Sequence, residues 1–172
     1  HFDLVNENIT NMTEFSTHFI VAADIDNDGD IDVIRTTSDN SRFLYRNNGS
    51  GIFTEEVLSI NFEHAAMADY DSDGFLDLWT LNGSLTIFLN DKQGHFDDSR
   101  TISNNGGSAI GITVADIDND GDLDVQGYTE SYRFDPFSGF PIGSQVSLPR
   151  YINNSDGTFI SQVVSQFPGS GS

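Results

Sequence analysis

Short apolar stretches alternate with turn-forming segments along this chain, and their lengths predict β-strands. The first strands are predicted at 18–23, 31–37, 42–46 and 52–60, and the next four at 64–68, 75–81, 85–89 and 95–102. No stretch keeps a helical period of apolar positions over ten or more residues. Gly, Asn, Asp and Ser stand at the ends of every run and mark turns. The pattern therefore predicts an all-β protein.

Two motifs recur three times in the same order. A D-x-D-x-D-G-x-x-D segment, here called an acidic loop, begins at Asp24, Asp69 and Asp116. The spacings between these starting points are 45 and 47 residues. An N-x-x-x-G-x-F segment, here called an asparagine turn, follows each acidic loop and begins at Asn47, Asn90 and Asn153. Each repeat has room for four short antiparallel strands, which is the content of one β-propeller blade.

The predicted fold class is therefore all-β, with three four-stranded antiparallel β-propeller blades. The blade units are expected at about 17–60, 63–102 and 108–165 within a repeat region of 1–166, and 167–172 is interpreted as a linker or tail. Residues 1–3 match residues 95–97, which predicts one strand of a preceding blade. Propellers usually have four to eight blades. We expect part of a larger propeller, or a propeller completed by oligomerisation; an open stack of blades is the alternative.

The third repeat carries an insertion at 128–149. From Asp124 to Asn153 there are 29 residues, against 15 and 13 in the first two repeats. We expect an elaborated connection between the second and third strands, on the face of the blade opposite the acidic loops. Its candidate ligand-contact residues are Tyr128, Tyr132, Arg133, Phe134, Phe137 and Phe140. Exposed aromatic side chains suit sugar or protein contacts; packing as a small local core is the alternative.

The acidic loops have the residue types that calcium prefers. Calcium takes six to eight oxygen ligands in flexible geometry, and carboxylates at alternate positions of a tight turn can converge on one point. The glycine at the sixth position lets the chain reverse. The predicted carboxylate ligands are Asp24, Asp26, Asp28, Asp32, Asp69, Asp71, Asp73, Asp77, Asp116, Asp118, Asp120 and Asp124. Backbone carbonyls are expected to come from Asp30, Phe75 and Asp122. The sequence thus predicts three Ca²⁺ sites.

The charge balance agrees with cation binding and limits the partners. There are 27 acidic residues against 7 basic ones, for a net charge of −20, which disfavours nucleic acid and anionic membrane surfaces. No apolar run is long enough to insert into a membrane. The chain has no cysteine, so disulfides and thiolate metal sites are excluded. An EF-hand is excluded as well, because it needs a glutamate at the twelfth loop position, where this chain has Arg35, Thr80 and Gly127.

The acidic loops and asparagine turns together resemble the FG-GAP (VCBS-type) repeat of integrin α-subunit propellers and of many secreted bacterial proteins. The resemblance covers nearly the whole chain except the insertion and the tail. It implies that each acidic loop joins the first two strands of a blade and that calcium locks this hairpin on one face of the propeller. It also implies that ligand contacts come from the opposite face.

These observations favour a non-catalytic, calcium-stabilised extracellular module for adhesion or for recognition of a glycan or protein. One alternative is a fragment of a secreted polysaccharide-degrading enzyme with a lyase-like propeller, with Tyr132, Arg133 and His64 as candidate groups. Another is a structural repeat protein of an extracellular filament or surface layer. Partners are expected to include further propeller blades in the same or another chain. Glycosylation motifs begin at Asn8, Asn11, Asn48, Asn82 and Asn153, and their use depends on a eukaryotic secretory source.

Overall fold

A computed structural model describes residues 16–103 and 109–168. Within these ranges the secondary structure consists of strands and turns, without helices. The first eight strands are β1 (Thr17–Ala23), β2 (Asp32–Thr37), β3 (Arg42–Asn47), β4 (Phe53–Val57), β5 (Ala65–Ala68), β6 (Asp77–Asn82), β7 (Ser84–Leu89) and β8 (Asp98–Ser103). The last four are β9 (Ala109–Ala115), β10 (Asp124–Phe134), β11 (Pro141–Asn153) and β12 (Phe159–Pro168). The strand predicted at 1–3 lies outside the described residues.

The strands form three separate four-stranded sheets, ordered β1-β2-β3-β4, β5-β6-β7-β8 and β9-β10-β11-β12. All neighbours are antiparallel, and each sheet is a simple meander. The prediction of all-β, blade-like repeats is therefore confirmed. Across the described residues, no helix has the length and apolar character needed to cross a membrane. Strand boundaries differ from the predicted ones by a few residues. In the structure, β2, β6 and β10 each begin at the ninth residue of an acidic loop.

The chain divides into two compact units, the first ending at Asn61 and the second beginning at Phe62. The first unit contains the sheet β1–β4, in which Ile34 is paired with Val21 and Leu44, and Ile34 and Leu44 are buried. On the other face, the buried Arg35 donates from Nε to Thr17 Oγ1 at 2.9 Å. These neighbouring strands are thus joined by side chains as well as by the backbone ladder.

The second unit contains the other two sheets, which share one hydrophobic core. Trp79, Leu81, Leu85 and Ile87 of the middle sheet cluster with Val125 and Tyr151 of the third sheet. Gly127 on β10 lies so close to the middle sheet that a Cβ there would be 2.6 Å from Leu81 Cδ2. A side chain there would force Leu81 to shift, so this glycine permits the close packing of the two sheets.

The insertion in the third repeat takes the form of a long hairpin. It lies between the second and third strands, where β10 and β11 are 11 and 13 residues long, and only residues 135–140 join them. β9 pairs with β10 no further than Thr129, and β12 pairs with β11 no further than Gln145, so the end of the hairpin continues past both flanking strands. β12 extends to Pro168, two residues into the segment predicted as a tail.

Candidate metal centre

The acidic loops turn sharply because the residues at their fourth and sixth positions adopt positive φ. The sixth-position glycines Gly29, Gly74 and Gly121 have φ values of 94°, 91° and 98°, where a side chain would be strained. The fourth-position residues Asn27, Ser72 and Asn119 have φ values of 58°, 60° and 63°. The sequence interpretation missed this second requirement, although asparagine's tolerance of left-handed backbone was an available signal.

The first aspartate of each loop accepts a hydrogen bond from the sixth-position glycine. The distance from the glycine N to Oδ2 is 3.0 Å for Gly29–Asp24, 2.9 Å for Gly74–Asp69 and 3.1 Å for Gly121–Asp116. The aspartate at the fifth position accepts a hydrogen bond from the N–H of the seventh residue. The distance is 2.9 Å for Asp30–Asp28, 2.9 Å for Phe75–Asp73 and 3.0 Å for Asp122–Asp120. Backbone N–H groups thus hold the carboxylates inside the turn before any cation is considered.

Each loop brings carboxylate oxygens together in a group that can hold a metal ion. In every group the candidate ligand atoms lie within 4.8 Å of one another. The groups are Asp24, Asp26 and Asp28; Asp69, Asp71 and Asp77; and Asp116, Asp118 and Asp124. The remaining predicted carboxylates, Asp32, Asp73 and Asp120, lie in the same loops outside these groups. Ligation by individual residues, including the carbonyls of Asp30, Phe75 and Asp122, stays a prediction.

The aspartate at the ninth position of each loop, called the ninth aspartate below, connects the acidic loop to the asparagine turn. Its Oδ2 accepts from the N–H of the second loop residue, at 3.2 Å for Ile25–Asp32, 2.8 Å for Tyr70–Asp77 and 2.8 Å for Ile117–Asp124. Its Oδ1 accepts from the first residue of the turn, at 2.8 Å for Asn47–Asp32, 2.8 Å for Asn90–Asp77 and 2.9 Å for Asn153–Asp124. All three aspartates are buried, with 0 to 2% of their surface exposed. One carboxylate therefore clamps two chain reversals at the same end of each sheet.

The asparagine of each turn completes this clamp from the other side. Its Nδ2 donates to the carbonyl of the residue before the ninth aspartate, at 3.3 Å for Asn47–Ile31, 3.0 Å for Asn90–Leu76 and 3.5 Å for Asn153–Leu123. The sequence interpretation recognised the repeated asparagine without assigning it this role. Because Asn153 is buried and its amide is engaged, its glycosylation motif does not present an accessible acceptor.

Burial and neighbouring carboxylates raise the pKa values of several aspartates in the acidic loops. Burial raises the pKa of Asp32 and of Asp77, even though each carboxylate accepts two backbone hydrogen bonds that favour its charged form. Desolvation, together with the nearby carboxylates of Asp120, Asp124 and Asp116, raises the pKa of Asp118. A cation among these groups would offset the repulsion.

The donor set fits a hard cation. Asp24 Oδ1 in the first loop and Asp122 Oδ2 in the third loop are buried carboxylate oxygens without a hydrogen-bond partner. Buried carboxylate oxygens normally have a partner, and a metal ion supplies one. The groups contain only oxygen ligands, which suits calcium or magnesium better than softer transition metals. The three loops can therefore hold metal ions.

The candidate ligand-contact residues lie along the long hairpin. Phe137 at its tip is 98% exposed, and Phe134 and Phe140 are 59% and 70% exposed. Asp135 shapes the tip by accepting from the N–H groups of Phe137 and Ser138 at 2.8 and 2.7 Å. Tyr128 is 40% exposed on β10. Tyr132 and Arg133 also belong to β10, but their side chains are outside the described part, and His64 immediately precedes β5.

The comparisons with known proteins agree with the repeat and its geometry. A family model described as FG-GAP-like repeat matches residues 24–80 and again residues 69–125. Searches of curated proteins and of solved structures find no match. Each matched segment begins at the first aspartate of one acidic loop. It ends in the strand that follows the next acidic loop along the chain. The two segments together span more than half of the chain, which therefore belongs to the family of FG-GAP-like repeat proteins.

Proposed function

We propose that the three acidic loops bind calcium and that the protein is a non-catalytic recognition module working outside the cell. The observation that carries the calcium proposal is the threefold repetition of a carboxylate group whose atoms lie within 4.8 Å of one another. The ninth aspartate links this group to the asparagine turn. Calcium bound there would stabilise the end of every sheet. The ions are thus proposed as structural, and recognition is assigned to another part of the molecule.

Extracellular calcium is present at concentrations that suit weak, charge-rich sites of this type. A chain without cysteine has no disulfides to stabilise it outside the cell, and bound ions supply an equivalent constraint. Both arguments support secretion or display at the cell surface. Further blades of the same kind, in the same or another chain, would complete the propeller.

The proposed recognition surface is the tip of the β10–β11 hairpin. The tip lies at the end of the third sheet opposite the acidic loop, because β10 begins at Asp124 and runs away from that loop. Three phenylalanines there expose most of their surface. Exposed apolar clusters on projecting segments commonly mark binding sites. A glycan or a protein surface is the proposed ligand.

Thermal unfolding with and without calcium tests the metal proposal. An ion that binds only the folded state stabilises it by mass action, by about 2.7 kcal/mol at a hundredfold excess over Kd. We expect calcium to raise the melting temperature markedly and magnesium to raise it less. A melting temperature that is the same in calcium and in EDTA at neutral pH would refute structural calcium sites.

Binding and turnover assays test the recognition proposal. The protein is screened on glycan and protein arrays in calcium and incubated with polysaccharides, together with the variants Phe137→Ala and Val57→Ala. Val57 is 72% exposed on β4 in the other unit, so its variant is a control for loss of an exposed apolar side chain. We expect binding that F137A loses and V57A keeps. Cleavage of a polysaccharide would identify an enzyme, and self-assembly without binding would identify a structural repeat protein.

A further inference from the structure

The three acidic loops differ in the positive charge that surrounds them. In the first loop, Arg46 Nη1 lies 3.3 Å from Asp26 Oδ2. In the second loop, Lys92 Nζ lies 3.1 Å from Asp73 Oδ2. Among the described residues, no lysine or arginine forms an ion pair with a carboxylate of the third loop. Sequences that look equivalent therefore fold into electrostatically different sites.

The repeat shows where this difference comes from. Arg46 stands immediately before an asparagine turn, and the corresponding residues are Leu89 and Ile152. Lys92 is the third residue of an asparagine turn, and the corresponding residues are Gly49 and Ser155. At these two positions the third repeat therefore has no cation, whereas each of the other repeats has one. Arg100 contacts the third asparagine turn, where it donates to the backbone carbonyl of Gly157 at 2.6 Å.

The number of carboxylates differs as well. The first and third loops have aspartate at the first, third, fifth, seventh and ninth positions, whereas the second loop has Phe75 at the seventh. Lys92 lies over the Phe75 ring, with its Nζ 5.8 Å from the centroid. The ammonium group is therefore held beside the loop from two sides, by Asp73 and by the ring.

We propose that these internal cations, together with the missing seventh-position carboxylate of the second loop, grade the three calcium sites, so that the third loop binds most tightly, the first is intermediate and the second is weakest. This inference rests on the proposed calcium function. Lys92 supplies a charge that calcium would otherwise supply, and it engages a carboxylate that is a predicted ligand. Calcium affinity in such loops depends on the number of ligand charges, so an internal ammonium lowers it.

A matched exchange of residues tests the proposal. Lys92 and Ser155 occupy the same turn position with φ values of 72° and 60°, so their side chains can be changed without altering the backbone. Lys92→Met removes the charge and keeps the chain length, and Ser155→Lys introduces a charge beside the third loop. Gly49 is unsuitable for the exchange, because a Cβ there would clash with Asp30 Oδ2.

The amide groups of Gly29, Gly74 and Gly121 report on each loop separately, because each donates to the first aspartate of its own loop. Calcium titrations followed by ¹H–¹⁵N NMR give three midpoints from one sample. We expect Gly121 to respond first and Gly74 last. K92M should lower the Gly74 midpoint roughly two- to fivefold, and S155K should raise the Gly121 midpoint by a similar factor. Both changes should shrink as ionic strength rises.

Arg42→Met is the control for net charge. Arg42 begins β3, at the opposite end from the acidic loop, and its Nη2 donates to Asn61 Oδ1 at 2.8 Å. R42M should leave the order of the midpoints unchanged. Equal midpoints in the wild type, or midpoints that neither K92M nor S155K moves, would overturn the grading while leaving calcium binding intact. Failure of all three amides to respond would instead overturn the calcium function itself.

Discussion

The clamp formed by the ninth aspartate predicts a specific difference between two conservative substitutions in the second acidic loop. Asp77→Asn keeps the size of the side chain but leaves one acceptor oxygen for two N–H groups, those of Tyr70 and Asn90, each at 2.8 Å. The N–H of Tyr70 or of Asn90 then faces the NH₂ group of the introduced asparagine, which cannot accept a hydrogen bond. Asp71→Asn is the matched control, because Asp71 is exposed and accepts from the N–H of its loop neighbour Asp73 at 3.3 Å.

The magnitude follows from the hydrogen bonds and the charge. Leaving a buried N–H without an acceptor costs about 1–3 kcal/mol. Removing the charge offsets part of this, because burial and the charges of Asp71 and Asp69 disfavour the ionised form of Asp77. We expect metal-free D77N to lose about 1–2 kcal/mol, which is about 2–8 °C in melting temperature for a chain of this size. Metal-free D71N should unfold within about 1 °C of the wild type.

Thermal unfolding of both variants, metal-free and in calcium, is the assay. In calcium, both substitutions remove a carboxylate from the group that can hold the ion, so both should lose part of the stabilisation by the ligand. D77N is thus weakened in both conditions and D71N only in calcium. Equal melting temperatures for the two metal-free variants would refute the clamp.

Two further predictions follow from the packing and the charge. Gly127→Ala should destabilise the protein by about 1–3 kcal/mol in thermal unfolding, because the new Cβ would lie 2.6 Å from Leu81 Cδ2. Gly111→Ala, on the adjacent β9 with nothing within 4 Å of its Cβ position, should change stability little, and similar losses for the two would contradict the close-packing argument. Metal-free protein should become more stable as the pH falls from about 7 towards 4, since desolvation and the neighbouring carboxylates raise the pKa of Asp118 and a raised carboxyl pKa adds stability when the proton is bound. Calcium-loaded protein should show the opposite slope in the same melting experiment, because binding needs ionised carboxylates; parallel slopes would exclude this aspartate as the cause.

The local parts of the site were accessible from the sequence, and the contacts between its parts were not. A repeated D-x-D-x-D-G indicates a tight acidic turn because the glycine and the alternating carboxylates act within a few residues of each other. The partner of Asp124 is Asn153, which is 29 residues away along the chain. Pairing at that distance depends on the length of the intervening strands, which the sequence pattern of the third repeat does not fix.

The hairpin of the third repeat shows what depends on pairing. The extra length between Asp124 and Asn153 predicts an elaborated connection and does not specify its form. In the structure, Glu130 pairs with Val146 and Tyr132 with Ser144, so the backbone hydrogen bonds of the two segments satisfy each other. Once β10 and β11 are paired in register, continuing the ladder satisfies more backbone groups than leaving the sheet would. This preference depends on pairing between segments, which composition alone does not report.

The sequence by itself determined the all-β class, the three repeats, the acidic loops and the sites where calcium is expected, because each depends on neighbouring residues. Tertiary structure alone decided that the ninth aspartate joins the loop to the asparagine turn. It also decided that Lys92 approaches Asp73 and that Gly127 lies against Leu81. These features depend on which strands lie beside each other and in what register. Residues equivalent in the repeat thereby acquire different neighbours, and with them different electrostatic environments.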